Sequence, residues 1–189
     1  MIEKLDRYKF RKESERYIQQ QTRDRHFVTY KSAKTVMLLF QSDVNEENVA
    51  IKALMKQLVA DGKKVVAWGF VDKKEVVSPI LSDLRILNKK NVDFFQRPQQ
   101  AFMRELEGMR FDLLLDISVK EILPLRYLGL YANAHFKAGT RSSDPQIYDF
   151  VLDIQNMSGG DDTNSVQSID ATFIYNQIIF YLKSIQTSD

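Results

Sequence analysis

Three short apolar runs constrain this chain more than any other feature: Val36-Met37-Leu38-Leu39-Phe40, Val65 to Val71, and Phe111 to Ile117. A strand wet on one face alternates apolar and polar residues, whereas a run without alternation has to be covered on both faces. Strands of that kind belong to parallel sheets, and parallel strands need crossover helices. The sequence supplies them. Between the first two runs, Val49, Ala50, Ala53, Leu54 and Leu58 recur at helical spacing until Asp61-Gly62, and Asp43 with Glu46 has the spacing of a capping box. Pro98 suits the first turn of a helix running to Glu107 and closed by Gly108. After the third run, Ser118 and Glu121 repeat the capping-box spacing ahead of Ile122, Leu125, Leu128 and Ala132.

Further strands are expected at His135 to Gly139 and Phe150 to Ile154, and a final helix from about Ile169 to Ile185. The stretch from Val76 to Asn91, broken by Pro79 and Asn88-Lys89-Lys90-Asn91, reads as a short helix or hairpin, with a brief strand at Val92 to Phe95. The polar loop around Asp144-Pro145 and the turn-rich Asn156 to Asn164 complete the chain. This alternation predicts an α/β fold, a Rossmann-like three-layer sandwich with a mostly parallel sheet. It occupies residues 27–189 as one domain, and residues 1–26 form a basic helical appendage. A length of 189 residues with 44% hydrophobic side chains is enough for one sizeable core.

The appendage holds eight basic and five acidic side chains, a local excess of +3 in a chain whose formal net charge is +2. A helix over about residues 3–20 follows from the absence of Gly and Pro. Its apolar positions Leu5, Tyr8, Phe10, Tyr17 and Ile18 make only a ragged stripe. Lys4, Arg7, Arg11, Lys12 and Arg16, interleaved with aromatic rings, are candidates for contact with an unidentified partner, either a nucleic-acid backbone or an acidic protein. The plainer alternative is a solvated helix knitted by pairs such as Glu3 with Arg7.

Several chemistries are poorly supported. With no cysteine there is no disulfide, thiolate nucleophile, iron–sulfur cluster or cysteine-based zinc site, which fits a reducing, cytoplasmic setting. His26 and His135 are the only histidines, neither with a second ligand at regular spacing, so no metal is expected and His135 reads as a structural residue near a strand start. The N-terminus lacks the unbroken apolar region of a signal peptide, and no stretch is apolar for long enough to span a membrane. The turn after the first run is Gln41-Ser42-Asp43-Val44-Asn45, without glycine; neither GxGxxG nor GxxxxGK[ST] occurs anywhere. No cofactor is expected.

A small-molecule ligand, if there is one, belongs beyond the carboxyl ends of the strands. Asp116, Ser118, Lys120, Thr140 and Arg141 are the candidates there. Lys120 and Arg141 could neutralise a phosphate or carboxylate. Asp112 and Asp116 share one face of a strand, and Asp116 falls where catalytic carboxylates often sit, yet it can equally bind loop amides. Ser118 lacks a GxSxG setting, and capping suits it better than nucleophilic attack.

On the segments FDLLLDIS (111–118), PLRYLGLYANAHFKAGT (124–140) and DPQIYDFVLDI (144–154), the chain resembles a family of short uncharacterised bacterial proteins, a likeness that implies a fold and no catalytic residues. From Phe111 to Gly139 it is also faintly similar to the first half of heptosyltransferase-type glycosyltransferases, in which a sugar nucleotide lies between two Rossmann-like halves. That likeness implies the fold alone, because no nucleotide-sugar motif matches. The functional expectation is a binding or accessory protein acting through a macromolecular partner. The alternative is an enzyme, or a degenerate relative of one, holding a phosphorylated or nucleotide-linked small molecule at the strand ends; whether there is catalysis stays open.

Overall fold

The apolar runs lie at the middle of a six-stranded sheet. In the computed structural model, which describes residues 2–20, 23–43, 47–75, 83–140, 147–154 and 169–185, the strands are β1 (Thr35–Gln41), β2 (Lys64–Phe70), β3 (Leu84–Leu87), β4 (Phe111–Asp116), β5 (Ala134–Thr140) and β6 (Phe150–Leu152). The helices are α1 (Ile2–Gln20), α2 (Val49–Ala60), α3 (Gln100–Glu107), α4 (Leu123–Tyr131) and α5 (Ala171–Ser184). The strand order is β3-β2-β1-β4-β5-β6, and every pairing is parallel. Leu38 is flanked by Ala67 on one side and Leu115 on the other. The order of the strands reverses between β1 and β4, and the fold is the Rossmann-like three-layer α/β sandwich.

Both faces of the sheet are covered, as the apolar runs require. Val36, Leu38, Phe40, Leu113 and Leu115 pack against Leu54 and Leu58 of α2 and Ile174, Tyr175 and Ile178 of α5. Met37, Leu39, Trp68 and Leu114 meet Met103 and Leu106 of α3 and Leu125 and Leu128 of α4. Helix α1 adds to this second face. Phe10 is 3% exposed and stands edge-on to Tyr127 of α4 at 4.7 Å. The apolar stripe of α1 looks ragged because Asp6 and Ser14, four residues to either side of Phe10, share its buried face, while Leu5 and Tyr8 point to solvent.

Local details differ from the sequence reading at the helix starts. Neither Asp43 nor Ser118 stands at the start of a helix, and Glu46 lies outside the described residues. Helix α2 begins at Val49 after Asn48, whose left-handed backbone (φ 47°) starts the helix, and Asp43 accepts a hydrogen bond from Asn48 N at 2.9 Å. Helix α4 begins at Leu123 after Ile122 with no side-chain cap, so Ser118 is not its cap. Pro98 precedes α3 by two residues and pairs with Val92 in an isolated antiparallel bridge, so the expected strand at 92–95 is a turn. Strand β3 is short and carries only two fully buried residues, too little signal beside Pro79. The loop at 144–145 and the segment 156–164 lie outside the described residues.

Two substitutions test this packing. Leu114→Asp should abolish cooperative folding, because an unpaired carboxylate in a sheet covered on both sides costs several kcal/mol, a large part of the ~5–15 kcal/mol that holds a domain together. Phe10→Ala should lower stability by about 3–5 kcal/mol in urea denaturation. A loss within ~0.5 kcal/mol would mean that α1 is not packed as described.

Candidate functional site

At the carboxyl edge the sequence candidates mostly turn inward. Asp116 ends β4 and is buried; its Oδ1 accepts from Ser118 N at 3.1 Å and its Oδ2 from the Tyr148 hydroxyl. Burial, reinforced by the Asp116 charge, pushes the Tyr148 hydroxyl well up, so it remains a proton donor. The Tyr148 ring lies in a slot made by two glycines: a Cβ at Gly139 would come within 3.0 Å of the ring, and one at Gly129 within 3.1 Å of the hydroxyl. The Arg126 guanidinium completes the stack, 5.5 Å from the Tyr148 ring and 5.6 Å from Phe10.

Asp116 therefore holds the turn after β4 together with both its oxygens. Thr140 Oγ1 donates to the Ser118 carbonyl at 3.1 Å, and the Ser118 hydroxyl is buried without a hydrogen-bond partner. Lys120 is exposed, and Arg141 lies outside the described residues. Asp116, Ser118 and Thr140 are thus brought together. Asp112 belongs to the opposite edge, where its carboxylate accepts from Lys34 N at 2.7 Å and Thr35 N at 2.9 Å. Partial burial opposes its charge, but these hydrogen bonds outweigh it and hold the carboxyl below its ordinary range.

Helix α1 presents the opposite picture. Lys4, Arg7, Arg11, Lys12 and Arg16 are all exposed, outside the buried stripe of Asp6, Phe10 and Ser14. Arg7 reaches Glu121 at 3.2 Å, and Arg11 meets Glu15 at 3.1 Å, with Lys12 farther off at 4.0 Å. Such exposed pairs are weak and leave the charges available. Beside them runs a groove of about 440 Å³ lined by Lys9, Lys12, Arg16, Arg97, Tyr17 and Tyr131 among others. Its one carboxylate, Glu13, is taken up by Arg97 at 2.9 Å and the Tyr131 hydroxyl at 2.6 Å.

Tyr17 and Tyr131, ring centroids 4.3 Å apart, also border a second cavity of about 650 Å³ at the amino edge of the sheet. Arg23, Arg25, Arg110, His135 and Lys137 line it. Burial holds the Tyr17 hydroxyl up at about 12, with help from Glu107 and Tyr131, so it faces this region protonated. Lys137 is buried and donates to the carbonyls of Gly129 and Leu130 at the end of α4; burial and then Arg23 push its ammonium well down. Arg23 is anchored by Asp149 at 2.6 and 2.7 Å, and Arg25 donates to the same carboxylate at 2.8 Å. The second terminal nitrogen of Arg23, Nη1, is buried without a partner among the described residues.

Nothing in the order of residues announces this cavity. Arg23, Arg25, Arg110 and Lys137 come from three separate stretches, and Asp149, which orients two of them, sits in the short turn before β6. Asp149→Ala should cost about 3–5 kcal/mol, since it leaves the largely buried Arg23 guanidinium without its counter-charge. Chemical denaturation checks this, and a loss under ~1 kcal/mol would mean that Arg23 finds water instead.

No curated protein and no solved structure matches this chain. A family model does, over residues 3–160, which include α1, all six strands and the residues of both edges described above. The chain belongs to the family of unknown function DUF6913.

Proposed function

We propose that this protein is a binding module for a polyanion, a nucleic-acid backbone, held along the exposed face of α1 and the groove beside it. The carrying observation is that α1 is docked into the core through Phe10 while the rest of its surface presents Lys4, Arg7, Arg11, Lys12 and Arg16 to solvent. A helix kept only for the core has no need of that row. The row spans about 18 Å at 1.5 Å per residue, long enough to follow several phosphates. Lys9, Arg97 and the Tyr17–Tyr131 pair extend it sideways, supplying cations and aromatic surface together. Exposed Tyr8 and Phe94 offer rings for base stacking. The absence of cysteine favours a cytoplasmic setting, and a bacterial source is part of the same reading.

Binding of fluorescent single-stranded and duplex oligonucleotides across a salt series is the test. Affinity should fall steeply with salt, and Lys12→Ala and Arg16→Ala should each weaken binding to all sequences alike and reduce the salt slope by about 1. Deleting α1 is unsuitable because it removes Phe10 from the core. Absence of binding at low salt, or salt slopes unchanged in both variants, would overturn the reading. Equal binding to polyglutamate would replace the nucleic acid with an acidic protein.

A second reading has one observation in its favour: the buried, unpartnered hydroxyl of Ser118 beside Asp116 and Thr140, next to the point where the strand order reverses. A phosphorylated or nucleotide-linked small molecule bound there would draw on Lys120 and Arg141 for charge. In a thermal-shift screen of nucleotides and sugar nucleotides, such a ligand at 100 times its dissociation constant adds about 2.7 kcal/mol, a rise of several degrees. The rise should shrink in Lys120→Ala and Arg141→Ala; no rise with any compound would dismiss this reading.

A further inference from the structure

The chain has two histidines, 109 positions apart, and the fold stacks them on each other with ring centroids 4.3 Å apart. Both face one carboxylate. His26 Nδ1 lies 3.5 Å from Asp24 Oδ1, and His135 Nδ1 lies 3.4 Å from Asp24 Oδ2. One ligand atom from each residue lies within 4.8 Å of the other two. Asp24 and His135 also line the 650 Å³ cavity at the amino edge.

We propose that Asp24, His26 and His135 bind a divalent transition metal ion of the zinc type. Two imidazole nitrogens and a carboxylate oxygen are the donor set that such borderline ions prefer, and three protein ligands leave a position open to water or a further ligand. Gathered at this spacing, the three residues offer a cation one carboxylate oxygen and one ring nitrogen from each histidine. The preference is for zinc, cobalt or nickel over magnesium or calcium, which favour all-oxygen shells. The positive neighbours do not prevent this: Arg23 and Arg25 are turned onto Asp149, at 2.6 and 2.5 Å. The cavity beside Asp24 and His135 is also lined by Arg25 and Arg110, so an anionic group is the class of further ligand that this surface favours.

Isothermal titration of the full, untagged chain with ZnCl2 tests the site, with MgCl2 as the comparison. One zinc ion per chain should bind with a dissociation constant in the micromolar range, and Mg2+ should not compete. Asp24→Asn, His26→Ala and His135→Ala should each weaken zinc at least tenfold while circular dichroism and urea midpoints stay close to the parent. His26→Gln serves as a second variant should His26→Ala disturb the stacked pair. No zinc binding by the parent, or parent-like affinity in the folded variants, would overturn the assignment. Lys12→Ala and Arg16→Ala should bind zinc as the parent does, which separates this site from the polyanion face.

Discussion

Everything in this molecule depends on β1 and β4 being covered on both sides. Leu38, Leu39, Leu114 and Leu115 are wholly removed from solvent, two facing α2 and α5 and two facing α3 and α4. Because each strand contributes side chains to both cores, neither layer of helices can leave without exposing the sheet. The polar residues at the strand ends can then be positioned against a fixed frame. Asp116 secures the turn after β4 through Ser118 N and Tyr148, and Asp112 ties the start of the same strand to the backbone before β1.

The central sheet was legible from sequence because its signal is local: a run of apolar residues with no alternation has one structural meaning in a chain with crossover helices. The edges were less so. Strand β3 borrows its stability from β2 pairing rather than from its own four residues, and β6 has three. Capping boxes failed for a physical reason as well. Asp43 and Ser118 lie several residues before the helices, in turns that leave the carboxyl edge of the sheet, where the Asp43 carboxylate accepts from Asn48 N and the Ser118 carbonyl accepts from Thr140 Oγ1.

The candidate sites divide along the same line. The cations of α1 could be read directly, since Lys4, Arg7, Arg11, Lys12 and Arg16 all fall outside the buried stripe of Asp6, Phe10 and Ser14. The buried use of Asp6 and Ser14 hid how firmly the helix is docked. Nothing in the spacing of His26 and His135 announces a shared carboxylate, because the two come from different parts of the chain and only the fold joins them. Tyr148 was equally invisible: its slot is made of absences, Gly129 and Gly139, which a search for phosphate-binding glycines passes over.

Asp149 links these features. It receives Arg23, Arg25 and the backbone N–H of Lys137, so one buried carboxylate fixes the segment that follows α1 against β5. In that segment the odd-numbered side chains go to Asp149 and the even-numbered ones, Asp24 and His26, go to His135. A charge balance inside the protein thereby sets what faces the solvent. The arginines cannot neutralise Asp24 while they hold Asp149, which leaves the Asp24 carboxylate to the histidines. The same anchoring holds the end of α1 near β5, with Tyr17 against Tyr131, so the cationic groove and the amino-edge cavity meet along one rigid border. In many open parallel sheets the ligand crevice is at the carboxyl edge. Here Asp116 and Tyr148 are committed to packing at that edge, while α1 and the amino-edge cavity carry exposed cations of their own.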